Sequence, residues 1–195
     1  MGNEAGKQSV SATQQGVHIG LENNTGRFHC FINVVIQSLW HLRAFRERFA
    51  SLDYTHRHTI DPCVFCSLRE IFTQYRWSED AIIPPDTLRK ALSVLYQKEH
   101  KFQLNEMADA EEALVEVCKI LHCDQVGMRN LERYQGLLGA PLIGPDMPCS
   151  PPCISHSVFG SQLCDVKVCS QCGATSDPDL TDAFMYRAYA GDIVE

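Results

Sequence analysis

Cys30 is the residue of this chain best placed to do chemistry. It follows a polar, glycine-bearing loop, Gly20 to His29, and opens a run in which Phe31, Ile32, Val35, Ile36, Leu39, Trp40, Leu42, Phe45 and Phe49 recur at the spacing of one buried helical face. A thiol in the first turn of such a helix lies among backbone N–H groups without intrahelical partners, at the positive end of the dipole. Both favour the thiolate, so the expected chemistry is nucleophilic. A cysteine nucleophile also needs an imidazole to take its proton, a third group to orient that imidazole, and donors for the oxyanion. The Cys30 backbone N–H is one such donor. The histidines offer little: His29 adjoins Cys30 but should point away from it, His41 lies far along the helix, and His56, His58, His100 and His122 read as surface residues.

A second chemistry is metal binding. Cys63-x-x-Cys66 and Cys153-x-x-His156 are two knuckles that together make a Cys3His set suited to a structural zinc, with Cys149 as a competing ligand. Cys169-x-x-Cys172 is a separate half-site, and a single site shared by all these cysteines is the alternative. Cys118 and Cys123 read as unligated core thiols. Four protein ligands leave no open position, so such a zinc would be structural and would pin the irregular connection described below to the helical part.

The elements that must position these groups follow from periodicity and breakers. Val64, Leu68, Ile71, Phe72 and Tyr75 mark a second helix, Pro84-Pro85-Asp86 starts a third with Asp86 as its cap, and Glu106 to His122 makes a fourth. From 123 to 152 five prolines and four glycines replace the pattern, which reads as a long irregular connection. Ser157 to Val168 reads as extended chain ending in the turn Cys169 to Gly173. Helices first and strands last give an α+β class. Residues 1–17 read as a disordered tail, with 18–195 as one domain or part of a larger one. The 195 residues carry 17 Lys plus Arg against 24 Asp plus Glu, a net charge of −7, and no basic cluster, which argues against a nucleic-acid partner. No segment has the length and apolarity of a membrane span or the form of a signal peptide. With ten cysteines and no secretion signal, the expected compartment is the cytosol or nucleus.

Several boxes, in order, resemble the N-terminal part of a ubiquitin-specific peptidase domain, the papain-like cysteine deubiquitinases built from thumb, palm and fingers. They are Gly20-Leu21-Glu22-Asn23, then Cys30-Phe31-Ile32-Asn33 with Gln37, then Asp109-Ala110-Glu111-Glu112, and the knuckle Cys169-x-x-Cys172-Gly173. The loop from Asn23 to Cys30 is two residues longer than the family's usual form, and Met107-Ala108 stand where a Gln pair is common. With Phe102-Gln103-Leu104 and Cys153-Ile154-Ser155-His156, these features are similar to the branch numbered fifty-three and fifty-four and its plant and protist relatives, often labelled inactive. The resemblance implies a thumb and the start of the fingers, with Cys30 as nucleophile and ubiquitin or a ubiquitinated protein as partner. It further implies Asn23, or Asn24 given the longer loop, as oxyanion donor, and Asp109 as a contact for the basic tail of ubiquitin. In that family the Cys169/Cys172 half-site is completed by two later cysteines. The catalytic His also lies downstream, so the chain is expected to stop before its general base. A non-catalytic ubiquitin-binding scaffold is the alternative function.

Overall fold

The apolar run after Cys30 forms two helices where the spacing predicts one. In the computed structural model, which describes residues 20–52, 61–125, 149 and 151–184, helix α1 spans Cys30–His41 and α2 spans Arg43–Ala50. The break is at Leu42, whose ψ of 95° is extended. No glycine or proline marks it. The carbonyl of Trp40, freed by the break, accepts a 2.7 Å hydrogen bond from Arg46 Nη1, so the kink leaves that group paired. Phe31, Ile32, Val35, Ile36 and Leu39 of α1 and Phe45 and Phe49 of α2 still enter one core.

Helix α3, Val64–Trp77, buries Val64, Phe65, Leu68, Ile71, Phe72 and Tyr75 against it. Tyr75 stacks on Trp40 with ring centroids 4.8 Å apart and accepts a 2.7 Å hydrogen bond at its hydroxyl from Gln37 Nε2. A short parallel pair, β1 (Gly20–Leu21) and β2 (Ile82–Ile83), fastens the loop before Cys30 to the segment after α3. Helix α4, Asp86–Leu95, has Pro85 at its cap position and Asp86 as its first residue, correcting the expected Asp86 cap. The Asp86 carboxylate instead pairs with Arg27 at 3.3 Å.

Helix α5 runs Ala110–Gln125, starting later and ending later than the Glu106–His122 expected. Its start is set by Asp109, whose Oδ1 accepts from the backbone N–H of Glu111 at 2.7 Å and of Glu112 at 3.2 Å. The strand-like reading of Ser157 onward is also corrected. Ile154–Phe159 is helix α6, and extended chain begins only with β3, Ser161–Asp165, antiparallel to β4, Asp179–Ala183, with Leu163 opposite Thr181. Helices dominate and strands close the described part, the α+β class expected. The tail 1–17 and most of the 123–152 connection lie outside the described residues.

Arg89 of α4 is 1% exposed and works as an internal clamp. Its Nη1 donates to the carbonyl of Phe102, and its Nη2 donates to the carbonyls of Gln103 and Glu106, the latter at 2.9 Å. The guanidinium lies 4.7 Å from the ring centroid of Phe31. Its acceptors hold a loop that contains Phe102 at a φ of 55°, a left-handed conformation uncommon for an aromatic residue. Arg89→Met should therefore lower the stability to urea by about 3 kcal/mol, since it strands buried carbonyls of that loop. Equilibrium denaturation checks this, and Arg89→Lys should fall between the two.

Candidate functional site

Cys30 is the first residue of α1 and is exposed, while Phe31 and Ile32 directly after it are buried. This one-residue boundary presents the thiol at the rim of a packed helix. The chain reaches it through a constrained turn: Arg27 N–H donates to Asn24 O at 3.1 Å, Gly26 has a φ of 82°, and Phe28 has a φ of 52°. A β-carbon at the Gly26 conformation would be strained. Asn33 Nδ2 donates to the Glu22 carbonyl at 3.0 Å, tying the loop back onto the helix it feeds. His29 occupies the cap position without a capping side chain. It is buried, with Nε2 3.9 Å from Asp86 Oδ1, so its ring is turned toward α4. Among the described residues no imidazole hydrogen-bonds Cys30.

The two oxyanion candidates differ. Asn24 Nδ2 donates to the Glu22 carboxylate, which occupies that amide. Among the described residues the Asn23 amide has no such commitment, and the side chain is exposed. Arg89 lies behind the site: burial lowers the pKa of its guanidinium, and the nearby Cys30 acts in the opposite direction. Asp109, exposed at the head of α5, spends one carboxylate oxygen on its cap bonds. Glu112, one turn on, is held by Lys101 at 2.6 Å.

The structure assembles a metal-type cluster that differs from the expected one. The ligand atoms of His122, Cys149, Cys153 and His156 all lie within 4.8 Å of one another. Cys153 Sγ is 3.3 Å from His122 Nδ1 and 3.2 Å from His156 Nδ1, and Cys149 Sγ is 3.0 Å from His156 Nδ1. Cys153 and His156 are thus placed as the sequence suggested, but Cys149 and His122 stand where Cys63 and Cys66 were expected. The reason is the length of α5. Its last turn carries His122, the expected final residue of that helix, and continues to Gln125, burying the imidazole beside α6, which is held by Ser155 Oγ donating to Cys118 O at 2.7 Å and Ile154 N–H donating to Gln125 Oε1 at 2.6 Å. His122 was read as a surface residue and is fully buried. The signal that pointed to it was its place four residues after Cys118, on the same face of a helix whose buried side was already evident.

Cys63 and Cys66, at the start of α3, instead neighbour each other and Asp124. Burial pushes the Cys63 thiol up to about 12. In the cluster, burial and then the proximity of His156 pull His122 down to about 4, which keeps a neutral imidazole ready to ligate. Burial is also the main influence that raises the Cys153 thiol to about 11. Two thiols and two imidazoles in a tetrad with His122 and Cys153 buried and Cys149 and His156 half-buried fit zinc, whose binding would draw off the thiol protons. Gly160 is needed here, because a β-carbon on it would sit 2.4 Å from the His156 carbonyl oxygen. Farther along, the Cys169 and Cys172 half-site forms an exposed turn closed by Gly173 N–H donating to Cys169 O at 2.9 Å. Backbone N–H groups of Cys172 and Gln171 hold the Cys169 thiol below its ordinary value.

A family model described as ubiquitin carboxyl-terminal hydrolase matches residues 19–184. Relatives include ubiquitin carboxyl-terminal hydrolase 54 of Mus musculus, 39% identical, and of Rattus norvegicus, 38% identical, each alignment covering 82% of this chain and 9% of the relative. Ubiquitin carboxyl-terminal hydrolase 53 of Homo sapiens is 35% identical, over 82% of this chain and 13% of the relative. The chain thus spans only a small part of the curated relatives it matches. Among solved structures, a SAGA DUB module of a variant Ubp8 with Sgf11, Sus1 and Sgf73 bound to monoubiquitin aligns with a TM-score of 0.58 and 19% identity, covering 91% of this chain and 37% of that one. Another variant of that module gives 0.56 and 21%, over 91% and 38%. These structural likenesses establish the fold.

The Asp109 cap yields a separable expectation. Asp109→Ala should cost about 1 kcal/mol in thermal or urea unfolding, whereas Asp109→Asn, which keeps the capping oxygen, should cost a few tenths.

Proposed function

The chain belongs to the ubiquitin carboxyl-terminal hydrolase family, and we propose that within it Cys30 is the nucleophile of a thiol-dependent ubiquitin isopeptidase. The observation that carries this reading is the exposure of Cys30 at the first position of α1, on a helix whose next residues are locked in the core. In the reaction, the Cys30 thiolate attacks the carbonyl carbon of the isopeptide bond at the ubiquitin C terminus. The developing oxyanion accepts hydrogen bonds from the Cys30 backbone N–H, at the positive end of the helix, and from the uncommitted amide of Asn23. The lysine amine leaves with a proton, giving a thioester, which water hydrolyses to free the carboxylate and restore the thiol. The imidazole that accepts and returns that proton comes, in this reading, from outside the described residues. Asp109 faces the basic tail of ubiquitin, with Glu112 neutralised by Lys101.

The tetrad His122, Cys149, Cys153 and His156 is proposed as a structural zinc site. His122 at the end of α5, Cys149, and Cys153 and His156 at the start of α6 would hold the ion, which would cross-link these segments. Its four protein ligands leave no position for substrate.

Full-length protein should form a covalent adduct with a ubiquitin-based electrophilic probe, and Cys30→Ala should abolish it. Asn23→Ala should slow adduct formation by about 10²-fold, with a smaller effect for Asn24→Ala. No adduct on the full-length protein, with ubiquitin binding unchanged by Cys30→Ala, would overturn catalysis in favour of a ubiquitin-binding scaffold. For the metal, elemental analysis should find zinc, and His122→Ala and Cys149→Ser should each lower the content by one equivalent with a lower melting temperature. Retention of full zinc by both variants contradicts the site.

A further inference from the structure

Helices α2 and α3 and the end of α1 enclose a groove of about 510 Å³ whose walls include Trp40, Arg46, Arg69, Phe72, Arg76 and Trp77. Three guanidinium groups meet here in a chain whose net charge is −7. Arg69 and Arg76 lie two turns apart on one face of α3, and the packing of α2 beside α3 brings Arg46 to them. Arg46 is fixed by its hydrogen bond to the Trp40 carbonyl and lies 5.1 Å from the Trp40 ring centroid. Arg76 lies 5.7 Å from the ring centroid of Trp77. Among the described residues neither Arg69 nor Arg76 pairs with a carboxylate. The groove's own acid, Glu47, is engaged by Arg43 at 2.7 Å. The local field is therefore positive, against the sign of the whole chain.

The apolar part is equally defined. Trp77 is 75% exposed at the last position of α3, and Phe49 and Phe72 form a buried aromatic floor with ring centroids 5.4 Å apart. An exposed indole beside unpaired guanidiniums is the composition that interfaces favour for anchors. Trp40 lies ten residues beyond Cys30 on α1, about 15 Å along the helix at 1.5 Å per residue, so an occupant would leave the thiol free.

We propose that this groove docks an acidic peptide segment of a partner protein, its carboxylates on Arg69 and Arg76 and one apolar side chain against Trp77 and the Phe49–Phe72 floor. A polyanion such as nucleic acid fits less well, because three cations are too few to offset repulsion from the rest of the chain. The inference does not depend on the activity of Cys30.

The chain has two tryptophans, and both line the groove, so intrinsic fluorescence reads occupancy directly. The probe is an acetylated, amidated heptapeptide with one glutamate on each side of a central leucine and glycine or serine elsewhere, titrated into the full chain at low and at physiological salt. A saturable change in tryptophan emission that weakens with salt is expected. The double variant Arg69→Glu/Arg76→Glu should lose affinity by at least about tenfold while keeping the wild-type circular dichroism, since both side chains are exposed. No saturable change overturns the proposal. So does equal binding of inorganic phosphate or of a peptide with serine in place of leucine, which would reduce the groove to a non-specific anion site. Tighter binding of a short RNA overturns it too, as does self-association of the wild type that the double variant abolishes, which would make a second copy the occupant.

Discussion

The buried guanidinium of Arg89 ties together the parts of the molecule on which the site depends. Removing such a charge from water costs several kcal/mol, and the cost is offset only where the surroundings supply acceptors and polarisable faces. Here the carbonyls of Phe102, Gln103 and Glu106 and the ring of Phe31 supply them. Phe31 follows Cys30 on α1, and the clamped loop leads directly to Asp109 at the head of α5. One side chain on α4 thereby fixes the relation between the exposed thiol and the acidic helix start. The loop's backbone strain at Phe102 is tolerated because its carbonyl is held and its ring packs against Phe31 and Tyr96.

A second anchoring point lies at the opposite end of α5. Cys153 caps α6 through its sulfur, which accepts from the His156 N–H at 3.4 Å, and the same sulfur faces His122. Helix capping and the metal-type tetrad therefore use one atom. Phe184, just beyond β4, covers His156 with ring centroids 5.0 Å apart, so the tetrad also marks where the two-stranded sheet meets the helices. The exposed knuckle of Cys169 and Cys172 lies within the connection from β3 to β4, with its own backbone N–H groups arranged around sulfur.

Charge is distributed in a way the totals conceal. A net −7 describes an acidic protein, yet Arg46, Arg69 and Arg76 meet beside two indoles because α2 turns back at Leu42 onto α3. Had α1 continued straight, Arg46 would have remained with its own helix and the Trp40 carbonyl would have bonded along the chain.

The sequence by itself determined the long helices α1, α3, α4 and α5, the α+β class and the head-of-helix position of Cys30, because those depend on apolar spacing within one segment, whereas the short α6 reads as extended chain. Phe31 to Leu39 and Val64 to Tyr75 carry a 3.6-residue period that needs no distant partner to be read. Boundaries were less legible: the break at Leu42 has no Gly or Pro to announce it, and Asp109 marks the start of α5 through a cap that competes with several acidic neighbours. Cys153 and His156, three apart, were found together for the same local reason. Their partners were not. The choice of His122 and Cys149 over Cys63 and Cys66 was made by where α6 docks on the end of α5, and the meeting of Arg46 with Arg69 and Arg76 by the packing of α2 beside α3. Spacing along a chain sets which residues share a face, but only the packing of one face on another sets which faces share a site.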